Sequence, residues 1–292
     1  MYKLLKIKEF QNWHIDCFIE VTNFEPQEFF IMHKTIVASA LIAASMLPSL
    51  ASAQAAAPAE TPEYTVAGNM TLINDYRFRG ITQTMKKPAL QGGFDFTHAS
   101  GFYLGNWNSN VSEYAGFPGG NLEMDFYGGY KTSFGDFGLD VGAIYYYYPG
   151  SKFLGTGSAI DNKEIYIGGS WKFLSAKYYY SVGNYFSDKG DNNKGTDGTG
   201  YLDLSAAYDL GNGWGVNGHV GQLSYKGRDK ADYTDWKLGV TKDVKGYVFG
   251  LAYLGTNARD KAGDWYSYTN TPTGKVVAGG ADTVLVSVSK TF

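Results

Sequence analysis

Cysteine is nearly missing from this sequence: Cys17 is the only one among 292 residues. A disulfide framework and a site of several thiolates are therefore excluded. Histidine is scarce, with four residues, and the only long apolar run, at 36–47, is too short to cross a membrane as a helix. No charge of one sign dominates either. A formal net charge of −3 leaves no electrostatic footprint for nucleic acid, and none is expected as a partner. What the chain has in quantity is 38 Gly, 24 Tyr and 18 Phe, a composition that points to a β-rich fold.

The apolar run follows Met32, His33 and Lys34 and is followed by Pro48 and then Ala51, Ser52 and Ala53, a small-x-small cleavage pattern ahead of Gln54. It reads as a secretory signal peptide over 32–53. A buried core helix fits poorly, because the Ala/Pro/Glu-rich stretch at 54–63 offers nothing to pack against. The 31 residues before Met32 carry Glu20, Glu25 and Glu28 in place of a basic leader, so 1–31 is expected to be an extension from a start codon placed too far upstream. Removing 1–53 takes away Cys17, and with it any cysteine nucleophile. It also removes four lysines (Lys3, Lys6, Lys8, Lys34) and five acids (Glu9, Asp16, Glu20, Glu25, Glu28), which moves the net charge from −3 to −2. The expected organisation is extension 1–31, signal peptide 32–53, a short flexible segment 54–63, and one domain over 64–292.

From Tyr64 onward, segments of about ten residues carry an apolar residue or Gly at every second position, the period of a strand with one face toward lipid. Phe94 and Phe96 alternate with Asp95 and Thr97. Leu122, Met124 and Phe126 alternate with Glu123, Asp125 and Tyr127, which gathers acids on the opposite face. Ile165 and Ile167 alternate with Glu164 and Tyr166, and Leu202 and Leu204 with Asp203 and Ser205. About twelve such segments begin near Thr65, Ala89, Phe102, Asn121, Phe137, Asn162, Ala176, Gly200, Trp214, Tyr233, Tyr247 and Ala281. The fold class expected is all-β, a transmembrane antiparallel barrel of about twelve strands, with both termini in the periplasm.

The connections alternate in length, as they do in outer-membrane barrels, where periplasmic turns are short and outer loops long. Short turns are expected at 98–101, 135–136, 174–175, 211–213 and 243–246, and longer loops near 111–120, 149–161, 187–199 and 256–280. Phe102, Tyr130, Trp171, Phe173, Tyr178, Trp214 and Tyr247 then fall beside the short turns as a headgroup-level girdle. The chain ends Val284, Leu285, Val286, Ser287, Val288, Ser289, Lys290, Thr291, Phe292. Val284, Val286, Val288 and Phe292 resemble the C-terminal signal read by the barrel-assembly machinery, which is expected as a partner together with the secretion machinery and outer-membrane lipid.

Two further blocks carry a family resemblance. Asn69 through Thr84, with the core Asn74, Asp75, Tyr76, Arg77, Phe78, Arg79, Gly80, Ile81 and Thr82, and then Pro88 through Asp95, resemble the opening of the TorF-like porin family of proteobacteria. The blocks Asn121–Leu122–Glu123, Tyr127 through Tyr130 and Tyr145 through Gly150 are similar too. The resemblance spans essentially the whole mature chain and implies an outer-membrane barrel acting as a porin. It brings no catalytic residue and no substrate.

Placed by strand direction, the outer half of the lumen collects Asp75, Arg77, Arg79, Glu123, Asp125, Glu164, Asp203, Asp235 and Lys237 as candidate pore-lining residues, six acids against three bases. A passive pore for small hydrophilic solutes with a weak preference for cations is expected. The competing reading of these charges is cross-strand pairing that braces the wall. An outer-membrane enzyme is the first rival, but His98 lies in a turn and His219, on the lumen register, has no assignable serine partner, so no catalytic residue is named. A calcium loop at Asp188, Asp191, Asn192, Asn193 and Asp197 lacks the EF-hand spacing, and 195–200 lacks the lysine of a P-loop, so neither a metal nor a cofactor is expected. A plugged structural or adhesive barrel is the last alternative, since the inward Tyr146, Tyr148, Tyr166 and Tyr179 narrow a twelve-stranded interior.

Overall fold

A strand whose alternate residues are apolar is stable only where one face leaves water, and a sheet with such strands throughout removes its exposed edges by closing. The computed structural model, which describes residues 62–153 and 157–292, contains that closed sheet. The expected extension 1–31, the signal peptide 32–53 and the 54–61 part of the following segment lie outside the described residues.

The twelve barrel strands are β1 (Tyr64–Ile73), β4 (Ala89–His98), β5 (Phe102–Asn110), β6 (Leu122–Phe134), β7 (Phe137–Lys152), β8 (Ala159–Trp171), β9 (Leu174–Ser181), β10 (Gly200–Gly211), β11 (Trp214–Ser224), β12 (Tyr233–Val244), β13 (Tyr247–Thr256) and β16 (Thr283–Thr291). Two small hairpins stand apart from the wall: β2 (Arg77–Phe78) with β3 (Ile81–Thr82), and β14 (Ser267–Asn270) with β15 (Lys275–Ala278). Barrel strands pair antiparallel with their neighbours in the chain, and β1 closes the ring on β16 through Asn69 opposite Thr291 and Ile73 opposite Ser287. Asn74 extends this seam by side chain: its Nδ2 donates to the Val284 carbonyl at 3.0 Å and its Oδ1 accepts from the Val286 N–H at 2.9 Å.

The expected faces hold. Phe94, Leu104, Ile167, Leu238 and Val286 project from the outer surface, Phe94 being 67% and Leu104 64% exposed, while Glu123, Asp125, Glu164, Asp203 and Asp235 are buried inside. A polar inside and an apolar outside is the arrangement a barrel needs in lipid, where water cannot satisfy an outward polar group. Trp171, Phe173, Trp214 and Tyr247 form an exposed aromatic rim at the short-turn end, while Tyr178, expected with them, lies mid-strand with its hydroxyl at Gly200.

The abundance of Gly and Tyr has a common cause. Across the β5–β6 pair, Gly105 lies opposite Tyr127, and across β7–β8 Gly142 lies opposite Tyr166. A Cβ at either glycine would come within 2.5 Å of the facing tyrosine's ring or hydroxyl. The glycine leaves a slot on the lumen face and the ring lies across it, covering backbone that is otherwise bare.

The connection expectations need five corrections: the short turn expected at 174–175 lies at 172–173, the loop expected at 187–199 starts at 182, and three others follow. β7 runs on to Lys152 and β8 starts at Ala159, so the 149–161 loop shrinks to 153–158, drawn in by a register shift between Tyr147 and Lys152. The 225–232 connection, with Lys226, Arg228, Asp229, Lys230 and Asp232, is a further long loop beyond the four expected. Residues 74–88 belong to no wall strand: they form the first outer loop, and it folds into the lumen.

Candidate functional site

The buried charges of the 74–88 loop, Asp75, Arg77 and Arg79, find partners inside the barrel, while Lys86 and Lys87 are exposed. Asp75 is the organising acid, accepting from Arg77 Nε at 2.6 Å, Thr82 Oγ1 at 2.6 Å and Thr84 Oγ1 at 3.2 Å. These bonds draw the two arms of the loop together, and β2 and β3 pair Arg77 with Thr82 and Phe78 with Ile81. The tip residues Arg79 and Gly80 have φ of 47° and 82°. Positive φ at both central positions is the mark of a type I′ hairpin turn, and Gly80 is needed there twice over. A Cβ at Gly80 would stand 2.5 Å from Thr256 Cγ2 and 2.8 Å from Asp235 Cβ, because the tip presses against the wall.

Contacts fan out from the hairpin to most of the circumference. Tyr76 donates to Glu123 on β6 at 3.0 Å, and Phe78 sits edge-on to Tyr146 of β7. Arg77 Nη1 donates to the carbonyls of Gly80, Gly279 and Ala281 at 3.0 to 3.1 Å. Arg79 forms a forked pair with Glu164 of β8, Nη1 to Oε1 at 2.9 Å and Nη2 to Oε2 at 2.7 Å. Tyr233 donates to the Arg79 carbonyl at 2.8 Å. Asp75, Arg77 and Arg79 thus lie in the lumen, on the inserted hairpin and not on a wall strand as their alternation suggested.

The remaining candidates line the wall. Glu123 and Asp125 are buried with no ion-pair partner among the described residues, and Asp125 Oδ1 accepts no hydrogen bond there. Across β10, β11 and β12, His219 stands between two acids, with Nε2 2.6 Å from Asp235 Oδ1 and Nδ1 3.2 Å from Asp203 Oδ2. Tyr201, lying over Gly221, donates to Asp235 Oδ2 at 2.9 Å. Lys237 pairs with His219 in register and is buried beside the cluster. A cavity of about 50 Å³ remains between hairpin and wall, bounded by Arg77, Arg79, Asp203, His219 and Lys237 among others. It has room for a few waters or one small ion.

The enzyme reading can be tested at His219. Ser205 Oγ lies 3.5 Å from His219 Nδ1, but its hydroxyl donates to Asp203 at 2.5 Å. The serine therefore gives its proton to the acid and not to the imidazole, the reverse of an activated nucleophile. Toward the short-turn end the lumen stays polar: Asp140 accepts from Lys177 at 2.6 Å and from Tyr103 at 2.6 Å.

The outer end is covered. Two of the loop acids that resembled a cation site are paired, since Arg228 reaches Asp188 at 2.6 Å and Asp191 at 3.0 Å and lies 3.7 Å over the Trp265 ring, while Asp197 is exposed. The hydrogen bonds to Asp188 hold the Arg228 guanidinium above its ordinary value. Tyr266 and Tyr268 of the 257–282 loop pack into the same cover, and the Thr82 N–H donates to the Gly279 carbonyl at 3.0 Å.

The profile of a family described as bacterial proteins of unknown function, Gcw_chp, matches residues 55–292. No curated protein matches the sequence. Among solved structures the chain is similar to the KdgM porin in complex with disordered oligogalacturonate, with 9% identity, a TM-score of 0.47 and 78% of this chain against 99% of that one. It is similar to the NanC porin with 7% identity, a TM-score of 0.48 and the same two coverages. A third likeness is to OmpT of Vibrio cholerae, with 10% identity, a TM-score of 0.40, and 78% of this chain against 97% of that one.

Proposed function

The chain thus belongs to the Gcw_chp family, and we propose that it is a bacterial outer-membrane channel for passive diffusion of small hydrophilic solutes, its bore set by the 74–88 hairpin. The observation that carries this reading is the closed barrel with an apolar outer surface and a lumen lined by acids, bases and tyrosine hydroxyls. A barrel that served only as an anchor gains nothing from a charged interior, which costs desolvation unless water or solute reaches it. Likeness to the TorF-like porin family at 69–84 supports the same reading, as does the secretory pattern at 32–53 for export to the outer membrane. The terminal Val284, Val286, Val288 and Phe292 are the surface offered to the barrel-assembly machinery. The proposal is of a non-enzymatic channel, a reading supported by Ser205, which gives its hydroxyl proton to Asp203 and not to His219.

Weak cation preference belongs to the proposal. Six acids converge on the hairpin level against Arg77, Arg79, Lys237 and the imidazole of His219, and Glu123 and Asp125 have no base beside them. Charged groups in a narrow lumen set selectivity through the local potential. A second reading, a permanently plugged structural barrel, is favoured by the apolar packing of Phe78, Met85, Tyr146 and Tyr148 in the outer half. Reconstitution of folded protein in a planar bilayer across a KCl gradient separates the two. Discrete conductance steps with a reversal potential on the cation side are expected. A silent bilayer favours the plug, and an anion-side reversal overturns the charge argument.

A further inference from the structure

The hairpin delivers a guanidinium into a pocket that belongs to the wall. Glu164, 1% exposed, spends both carboxylate oxygens on Arg79 and has no other ion-pair partner among the described residues. Tyr146 of β7 also donates to its Oε2 at 3.3 Å. Around the guanidinium carbon stand the rings of Tyr201 at 4.4 Å and Tyr179 at 5.1 Å, both on barrel strands, with Tyr185 of the neighbouring loop at 5.8 Å. Tyr185 also accepts from Nη1 at 3.0 Å. The carboxylate and the flanking rings sit on β7, β8, β9 and β10, positioned by barrel register and not by the hairpin. A buried carboxylate among π faces matches a flat, delocalised cation: the fork takes both oxygens and the rings take the faces.

We infer that Glu164, Tyr146, Tyr179 and Tyr201 form a binding site for small guanidinium-type solutes, with Arg79 as its built-in occupant. Withdrawing Arg79 leaves an uncompensated buried charge, which is strongly unfavourable until a cation replaces it. The hairpin therefore competes with solute for one site, and a solute that wins releases the tip. This deepens the channel reading and rests on it only for the route by which solute arrives.

The test is read by thermal unfolding of the folded barrel in detergent, independent of conductance. Arg79→Gly, which also suits the positive φ of that position, is expected to melt several degrees below the parent. Low-millimolar guanidinium chloride is expected to restore most of the loss, saturably, where equal NaCl does not. The double variant Arg79→Gly with Glu164→Gln is expected not to respond. If Arg79→Gly does not fold, Arg79→Asn serves, since Asn tolerates the positive φ, likewise leaves Glu164 without a cation, and is expected to gain from guanidinium in the same way. Failure of guanidinium to stabilise either single variant, or an equal response in the Glu164→Gln background, overturns the site. A saturable response in a protein that never conducts upholds the site and removes the channel.

Discussion

Tyrosine and glycine act as partners in this lumen, and the pairing sets what single residues can tolerate. Tyr201 reaches both Asp235 and His219 because its ring crosses Gly221, where an added Cβ would stand 2.0 Å from the phenol oxygen and 2.8 Å from Asp235 Oδ2. Gly221→Ala is therefore expected to displace the ring and cost about 1–3 kcal/mol of stability, the usual range for overpacking. Gly169→Ala, where the nearest atom is a carbonyl oxygen at 3.9 Å, should be close to neutral. Melting of both variants in detergent checks this, and equal stability contradicts the ring placement. The inward direction of Glu123, Glu164, His219 and Lys237 was legible from alternation, because a pleat leaves only two faces. Their partners were less so. Asp203 and Asp235 beside His219 follow from the register of three adjacent strands, whereas Arg79 and Glu164 lie 85 residues apart with no shared strand pairing to announce them.

At the level of elements, the twelve strands begin within three residues of the positions that alternation marks, since burial on one face is a local pattern. The inserted hairpin escaped because Asp75, Arg77 and Arg79 alternate with Tyr76, Phe78 and Gly80 as in a strand, and a polar residue turned toward a filled lumen resembles one turned toward water. What sets the segment apart is Asp75 collecting donors from Arg77, Thr82 and Thr84, a network that exists only once the loop has turned inward. Strand faces make the sharper prediction. Ile167 of β8 projects outward with 56% exposure, while Ser170 lies on the lumen side near the short turn. Ile167→Lys is expected to cost roughly 2–4 kcal/mol if near mid-bilayer, and Ser170→Lys much less. The yield of heat-modifiable folded protein in vesicles measures this, and equal tolerance contradicts the assignment of faces.

For the whole molecule, the barrel and its outer cover are different kinds of interior. The short-turn half is lined by polar groups such as Asp140, Lys177 and Tyr103, while the outer half is filled by the hairpin, by Tyr146 and Tyr148, and by loops braced through Arg228. Nothing in the alternation of single strands encodes that asymmetry, because it arises from one loop choosing the lumen over solvent. A channel so arranged conducts through whatever the hairpin leaves open. The most direct measurement compares single-channel conductance of the parent with that of a variant whose residues 76–86 are replaced by a short Gly-Ser link. Small steps are expected from the parent and markedly larger ones from the variant. Silence from both, with each shown to be folded and inserted, would contradict the channel reading.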